Sequence, residues 1–160
     1  MTVSVAFVCL GNICRSPMAD VIFTEKVRAA GLTDRVAVAS SGTANWHEGR
    51  TMDNRAAATL AGAGYEPSRH RARHFTQDWY AEHSLILPMD SSNYADVLEL
   101  SPTVEQQAQV RMFRSFDPLA STADLDVPDP YYGSENGFTF VLDMIERTTD
   151  ELLAHVRTLV

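Results

Sequence analysis

Cysteine is scarce in this chain: Cys9 and Cys14 are the only two in 160 residues. Two cysteines cannot build a disulfide scaffold, and no clustered histidine completes a zinc set, so a reducing compartment and no metal are expected. Long apolar runs are missing as well. None approaches the roughly 20 residues that span a bilayer, and the N-terminus lacks a basic flank followed by an apolar core and a cleavage site. Membrane insertion and Sec export are therefore not expected, and the expected location is the cytoplasm. Positive charge is in deficit, with 13 Lys and Arg against 21 Asp and Glu and a net charge of −8. A nucleic-acid partner demands a basic face, so that class is excluded, although a small anion can still be bound locally. Lys26 is the only lysine, a coding bias with no bearing on function. What the chain does have is 45% hydrophobic residues, enough for one core, and residues 1–160 are read as one domain.

Strand-like and helix-like stretches alternate along it. Short β-branched or apolar runs place strands at 3–8, 36–40, 84–89 and 110–113. Helices fit at 17–30, 53–63, 91–100 and 135–159, with a shorter one near 76–82. The last long helix is the clearest: Phe138, Val141, Leu142, Ile145, Leu152, Val156 and Leu159 recur at helical spacing, and Ser134 can cap its start. The expected fold is α/β, a single-domain open, mainly parallel four-stranded sheet with helices on both faces.

The first strand, Val3 to Val8, delivers Cys9, and six positions later comes Arg15. Between them lie Leu10, Gly11, Asn12, Ile13 and Cys14, where Gly and Asn tolerate the left-handed dihedrals that curl a backbone until its N–H groups converge. Ser16 as N-cap and Pro17 as first helical residue would then start a helix whose positive end faces the loop. An apolar stretch at Val21, Ile22, Val27 and Ala30 continues it. This is a phosphate-binding loop after the first strand, with a nucleophile at its mouth. A cation and a helix N-terminus both favour a cysteine thiolate, and the planar fork of Arg15 suits two phosphoryl oxygens at once. No metal is needed for such chemistry, and no cofactor is expected.

A phenolate leaves slowly unless it is protonated, so an acid must come from elsewhere. In an open parallel sheet, ligands bind beyond the carboxyl ends of the strands, which places the long segment from Ser115 to Ser134 on the same rim as Cys9. Asp117, Asp124 and Asp126 in it read as solvated loop residues. Asp129 differs, because Pro130 stiffens the backbone after it and Tyr131 and Tyr132 can wall a partly desolvated pocket. It is the candidate general acid, and the same carboxylate can later take a proton from water. Ser16 can reach the sulfur of Cys9 and steady it as a leaving group. Cys14, in the same curled loop, either packs as a small apolar residue or traps oxidised Cys9 as a disulfide.

The run Val8-Cys9-Leu10-Gly11-Asn12-Ile13-Cys14-Arg15-Ser16-Pro17, together with Asp129-Pro130-Tyr131-Tyr132-Gly133, resembles the low-molecular-weight protein tyrosine phosphatases. Ser40-Ser41-Gly42-Thr43, Asn45-Trp46, His70-Arg71-Ala72-Arg73 and Met89-Asp90 followed by Asn93 extend the resemblance over nearly the whole chain. It implies Cys9 as nucleophile, Arg15 as phosphate clamp and Asp129 as general acid. It also implies that Asn12, Ser40 and His70 hold the loop by hydrogen bonds, and that Trp46, Tyr131 and Tyr132 line an aromatic slot. Phosphotyrosine-containing proteins are then the implied substrates, and a cognate tyrosine kinase is the implied opposing partner. Taken without the resemblance, Trp46 reads as a half-buried core residue and His70 as a solvated loop histidine. The pair His70 and His74 has helical metal spacing, but it sits in an arginine-rich stretch that disfavours a metal. Pro88 departs from the family pattern, which has a small residue or Cys there, and it bears on where the third strand ends.

Three other activities compete. Thioredoxin-coupled arsenate reductase shares the loop, but it needs a relay of further cysteines that this chain lacks. A protein-arginine phosphatase of the same family tends to carry Thr where this chain has Ile13, and an apolar Ile suits an aryl ring better than a guanidinium. The third is a phosphate-binding module without turnover, or a phosphoryl carrier, which would need Cys9 and Arg15 but not Asp129.

Overall fold

The computed structural model describes residues 2–133 and 136–160. At its centre is β1 (Val3–Cys9), flanked by β2 (Val36–Gly42) and β3 (Leu85–Pro88) in a parallel sheet of order β2-β1-β3. The register pairs Cys9 with Gly42 and Val8 with Pro88, so all three strands end on one rim. Val5, Ala6, Phe7 and Val8 are wholly buried, as expected for a central parallel strand covered on both faces.

Strand periodicity splits the core in two. Val3, Val5, Phe7 and Cys9 face α1 (Arg15–Ala29), α2 (Asn54–Gly62) and α5 (Asn136–Arg157). On the other face Ala6 and Val8 meet Phe75, Trp79, Tyr80 and Val97, carried by the approach to and body of α3 (Trp79–Glu82) and by α4 (Ser91–Glu99). Phe7 makes edge-to-face contacts with Phe23 and Phe113, centroids 5.8 and 5.5 Å apart, each contributing about 0.5–1.5 kcal/mol beyond area burial. Lys26 ties α1 to α5 by donating to the Glu146 carbonyl, the Thr149 hydroxyl and Asp150.

The expected elements are present with three corrections. Among the described residues the sheet has three strands rather than four: the fourth expected strand contracts to a single bridge between Val110 and Ile86. Short 3-10 helices on either side, Glu105–Gln109 and Phe113–Phe116, turn the chain away, the second to tuck Phe113 against Phe7. Leu159 is 41% exposed and lies past the end of α5, outside the buried stripe that Phe138, Val141, Leu142, Ile145, Leu152 and Val156 form. The third correction concerns the start of α1. Arg15 is its first residue and Cys14 its N-cap, with no capping bond from a side chain. Pro17 still falls in the first turn, where its missing N–H costs nothing. Ser134, the expected cap of α5, and residue 135 lie outside the described residues. Pro88 closes β3, its missing donor harmless at a strand end. Among the described residues, no helix is long and apolar enough to cross a membrane.

Candidate active site

Directly after β1 the backbone curls through Leu10–Cys14, and Asn12 takes a positive φ of 57°. The carbonyls of this loop are bonded away from its centre. Cys9 accepts from the Thr43 N–H, Leu10 from Ala44, Ile13 from Asp53 and Cys14 from Met18, while His70 Nε2 donates to the Asn12 carbonyl at 2.7 Å. The N–H groups of Gly11, Asn12, Ile13 and Cys14 find no acceptor among the described residues. Four unpaired donors at the start of a helix form a cradle for an anion.

The left-handed turn at Asn12 is held by its own side chain. Its Nδ2 donates to Ser16 Oγ at 2.8 Å and to Ser40 Oγ at 3.1 Å, and its Oδ1 accepts the Arg73 N–H at 2.9 Å. Ser16 therefore does not cap α1: its hydroxyl lies 2.9 Å from Cys9 Sγ and 3.3 Å from the Ser41 carbonyl. Asn12 occupies a lone pair, so the single Ser16 proton goes to the sulfur or to that carbonyl, and the sulfur is nearer. Capping by Ser16 was the wrong local expectation because the helix already begins at Arg15, and the Met18 N–H that Ser16 would have capped is taken by the Cys14 carbonyl.

Arg15 is 2% exposed, yet every donor that the structure pairs is aimed at the rim. Its Nη1 meets Asp90 at 2.6 Å and the Val127 carbonyl at 2.9 Å, and its Nη2 lies 3.4 Å from Asp129. Burial opposes its charge, but Cys9, Asp90 and Asp129 outweigh burial and hold the guanidinium above its ordinary pKa. Asp129 accepts the Tyr131 N–H at 3.0 Å, which starts the 3-10 turn Pro130–Tyr132. Above it a narrow cleft is lined by Cys9 to Gly11, Ile13 to Arg15, Trp46, His47, Asp129, Tyr131 and Tyr132.

The two tyrosine rings stack 5.0 Å apart. Arg55 lies 5.3 Å over the Tyr131 ring and donates to the Tyr131 carbonyl, while Asp53 holds Arg55 and caps α2. Trp46 is 65% exposed on the cleft, not half-buried in the core, and His70 is a half-buried support of the loop rather than a solvated histidine. Burial pushes the His70 pKa down, against its bond to Asn12, so it acts as a neutral donor. His74 turns to the Thr43 carbonyl, so the two histidines do not converge as a metal pair. Burial, helped by Asp53, Cys9 and Asp129, pushes the Cys14 thiol well up. Since the thiolate is the reactive form, this favours packing over a redox role for Cys14.

Three contributions were not read from the sequence. Asp90, in the N-cap position of α4, pairs with Arg15; an Asp three residues before Asn93 at a strand end was the available signal. A Cβ on Gly42 would lie 2.6 Å from the Leu10 carbonyl, so only glycine lets β2 pass under the loop. Asp117 is not solvated at all, and its side chain is fully buried between Arg114 and Arg147. Asp124 is exposed as expected, and Asp126 accepts the Ser91 N–H at 2.9 Å.

Comparison with known proteins adds the family. The model of the low molecular weight phosphotyrosine protein phosphatases matches residues 4–159. A low molecular weight protein-tyrosine-phosphatase of Streptomyces coelicolor is 46% identical over 157 residues, covering 98% of this chain and 95% of that protein. The human low molecular weight phosphotyrosine protein phosphatase is 35% identical, covering 91% and 90%. Among solved structures, a protein tyrosine phosphatase from Entamoeba histolytica with Hepes in the active site superposes with a TM-score of 0.91 at 30% identity, over 98% of each chain.

Proposed function

Because this chain belongs to the low molecular weight phosphotyrosine protein phosphatase family, we propose that it hydrolyses phosphotyrosine in proteins through a phosphocysteine on Cys9. The sulfur attacks phosphorus in line, the phosphorus–oxygen bond to tyrosine breaks, and Asp129 gives its proton to the departing phenolic oxygen. Water then attacks the phosphocysteine and loses a proton to the Asp129 carboxylate. The sulfur–phosphorus bond breaks, and Ser16 donates to the released thiolate. Arg15 and the Gly11–Cys14 amides bind the equatorial oxygens, whose charge and geometry they fit best in the transition state.

One observation carries this reading: a single buried guanidinium lies against both the phosphate cradle and the Asp129 carboxylate, beneath a slot of aromatic rings. The apolar Ile13 beside the cradle suits a phenyl ring better than a guanidinium, Trp46, Tyr131 and Tyr132 wall a slot for a flat ring, and the two cysteines leave no relay for arsenate reduction. The opposing partner is a tyrosine kinase, and the shared compartment is the cytoplasm. The test is hydrolysis of phosphotyrosine, phosphoserine and phosphoarginine peptides side by side with chelator present. Phosphotyrosine should be turned over alone or by far the fastest. Preference for phosphoarginine, or loss of activity with chelator, would replace the proposal.

A further inference from the structure

Between the 3-10 turns Phe113–Phe116 and Pro130–Tyr132 the chain has no helix or ladder of its own, yet it carries Asp129. Its position must come from a few fixed points. The first is Asp117, whose fully buried carboxylate accepts four bonds: from Arg114 Nε at 2.9 Å, from Arg147 Nε and Nη2 at 2.9 and 3.1 Å, and from the Leu119 N–H at 2.9 Å. Arg114 then reaches forward, its Nη1 donating to the Asp126 carbonyl at 2.8 Å. Next, Val127 donates its N–H to Met89 at 2.7 Å and offers its carbonyl to Arg15. Beyond it the sequence reads Pro128-Asp129-Pro130, so φ is locked on both sides of the acid and little slack separates it from Val127.

Stability alone does not account for this cluster. A buried ion pair gains little over apolar residues of the same size, because desolvation offsets the attraction. What a bidentate arginine–carboxylate contact supplies is direction. The cluster also joins the right bodies: Arg147 sits in the middle of α5, which packs on α1, whose first residue is Arg15. The phosphate clamp and the acid are thus registered against one helix by two routes.

We propose that Asp117 is the positioning residue of the acid loop, fixing Arg114 against Arg147 so that the Asp126 carbonyl, and through it Asp129, is set at the leaving-group oxygen. The inference rests on the acid role of Asp129. Burial pushes the Asp117 carboxyl up, but the bonds from Arg147, Leu119 and Arg114 together hold it below the usual range, so it stays an acceptor for both arginines at neutral pH.

The experiment uses Arg114→Lys, which keeps the charge but replaces the planar fork that takes Asp117 and the Asp126 carbonyl in fixed directions by an ammonium without that direction, and Arg147→Met, which keeps the apolar stem of a partly exposed side chain. Values of kcat/KM are measured on phenyl phosphate, whose leaving group is strongly basic, and on p-nitrophenyl phosphate, whose leaving group is not. Both variants should lose about tenfold on phenyl phosphate and little on p-nitrophenyl phosphate, with inhibition by inorganic phosphate unchanged. In an Asp129→Asn background the same substitutions should cost nothing further on phenyl phosphate. Equal losses on both substrates, or the full loss persisting without Asp129, would make the cluster a structural support only and overturn the proposal. If Asp129→Asn itself fails to discriminate the substrates, the acid reading falls and the inference with it. If Asp129→Asn discriminates and the arginine variants do not, the inference alone falls.

Discussion

The Cys9 loop and the Asp129 loop serve one cleft and are built in opposite ways. Residues 9–16 are consecutive, start on the central strand and end in a helix, and nearly every carbonyl among them has a fixed partner. Residues 117–132 have almost no regular structure and hang on distant contacts to α4, α5 and Arg15. An anion needs donors that do not reorganise, which a short strand-loop-helix provides locally. Asp129, the proposed acid, lies on a loop without such a frame, and its placement is carried by tertiary contacts.

Four substitutions or conditions press on that contrast. The largest effect falls on the loop itself: Cys9→Ser should lower turnover of phosphotyrosine by roughly 10⁴-fold or more while the cradle still binds phosphate. Steady-state rates and phosphate binding by calorimetry check both halves, and retained turnover would remove the covalent mechanism. Next comes the acid. Asp129→Asn should cost about 10²–10⁴-fold on phosphotyrosine and far less on p-nitrophenyl phosphate, whereas an equal loss on both would mean that Asp129 acts by charge or position only.

Gly42→Ala tests how tightly the cradle is packed. A methyl group 2.6 Å from the Leu10 carbonyl has to push β2 or the loop aside, so stability should fall by about 1–3 kcal/mol. Phosphate affinity should fall with it. A denaturation midpoint equal to wild type would show that the loop yields more easily than the geometry implies.

The smallest effect is a pH dependence. The folded pKa of His70 is lowered, chiefly by burial, from an ordinary value of 6.5. Above that value folding costs no proton. As pH falls below it, the unfolded chain takes up a proton that the folded one refuses, so stability declines until the lower folded pKa is reached. His83 is shifted the same way and adds to the decline. Urea midpoints between pH 7.5 and 5 should show it, and His70→Gln, which still offers a donor to Asn12, should reduce the slope. An unchanged slope in that variant would mean that His70 is not the group responsible.

The same contrast explains what could be read in advance. The strand before Cys9, the left-handed turn at Asn12 and the helical stripe of α5 are short-range patterns, and each was found where the sequence put it; Gly11 takes no left-handed φ, and what asks for glycine there is the close approach of His47. Ser16 misled because a serine before a proline has a strong local meaning, whereas its partners, Cys9, Asn12 and the Ser41 carbonyl, include one from another strand. Asp117 misled for the same reason. In a polar loop rich in aspartate it reads as solvated, and nothing nearby announces Arg147, thirty residues on in a helix. The fourth strand was overread because Val110 supports a single bridge and the next residues turn inward.

The sequence by itself determined the alternation of strands and helices, the proposed nucleophile and its arginine, the proposed acid between prolines, and the family to which they belong. These follow from neighbours along the chain, where dihedral preference and periodicity act directly. Only the tertiary structure decided that Gly42 passes beneath the loop, that Asp90 and Asp129 share one guanidinium, and that Asp117 is buried between two arginines. Each of those facts joins residues far apart in sequence, and close packing, which brings them together, leaves no local mark on any of them.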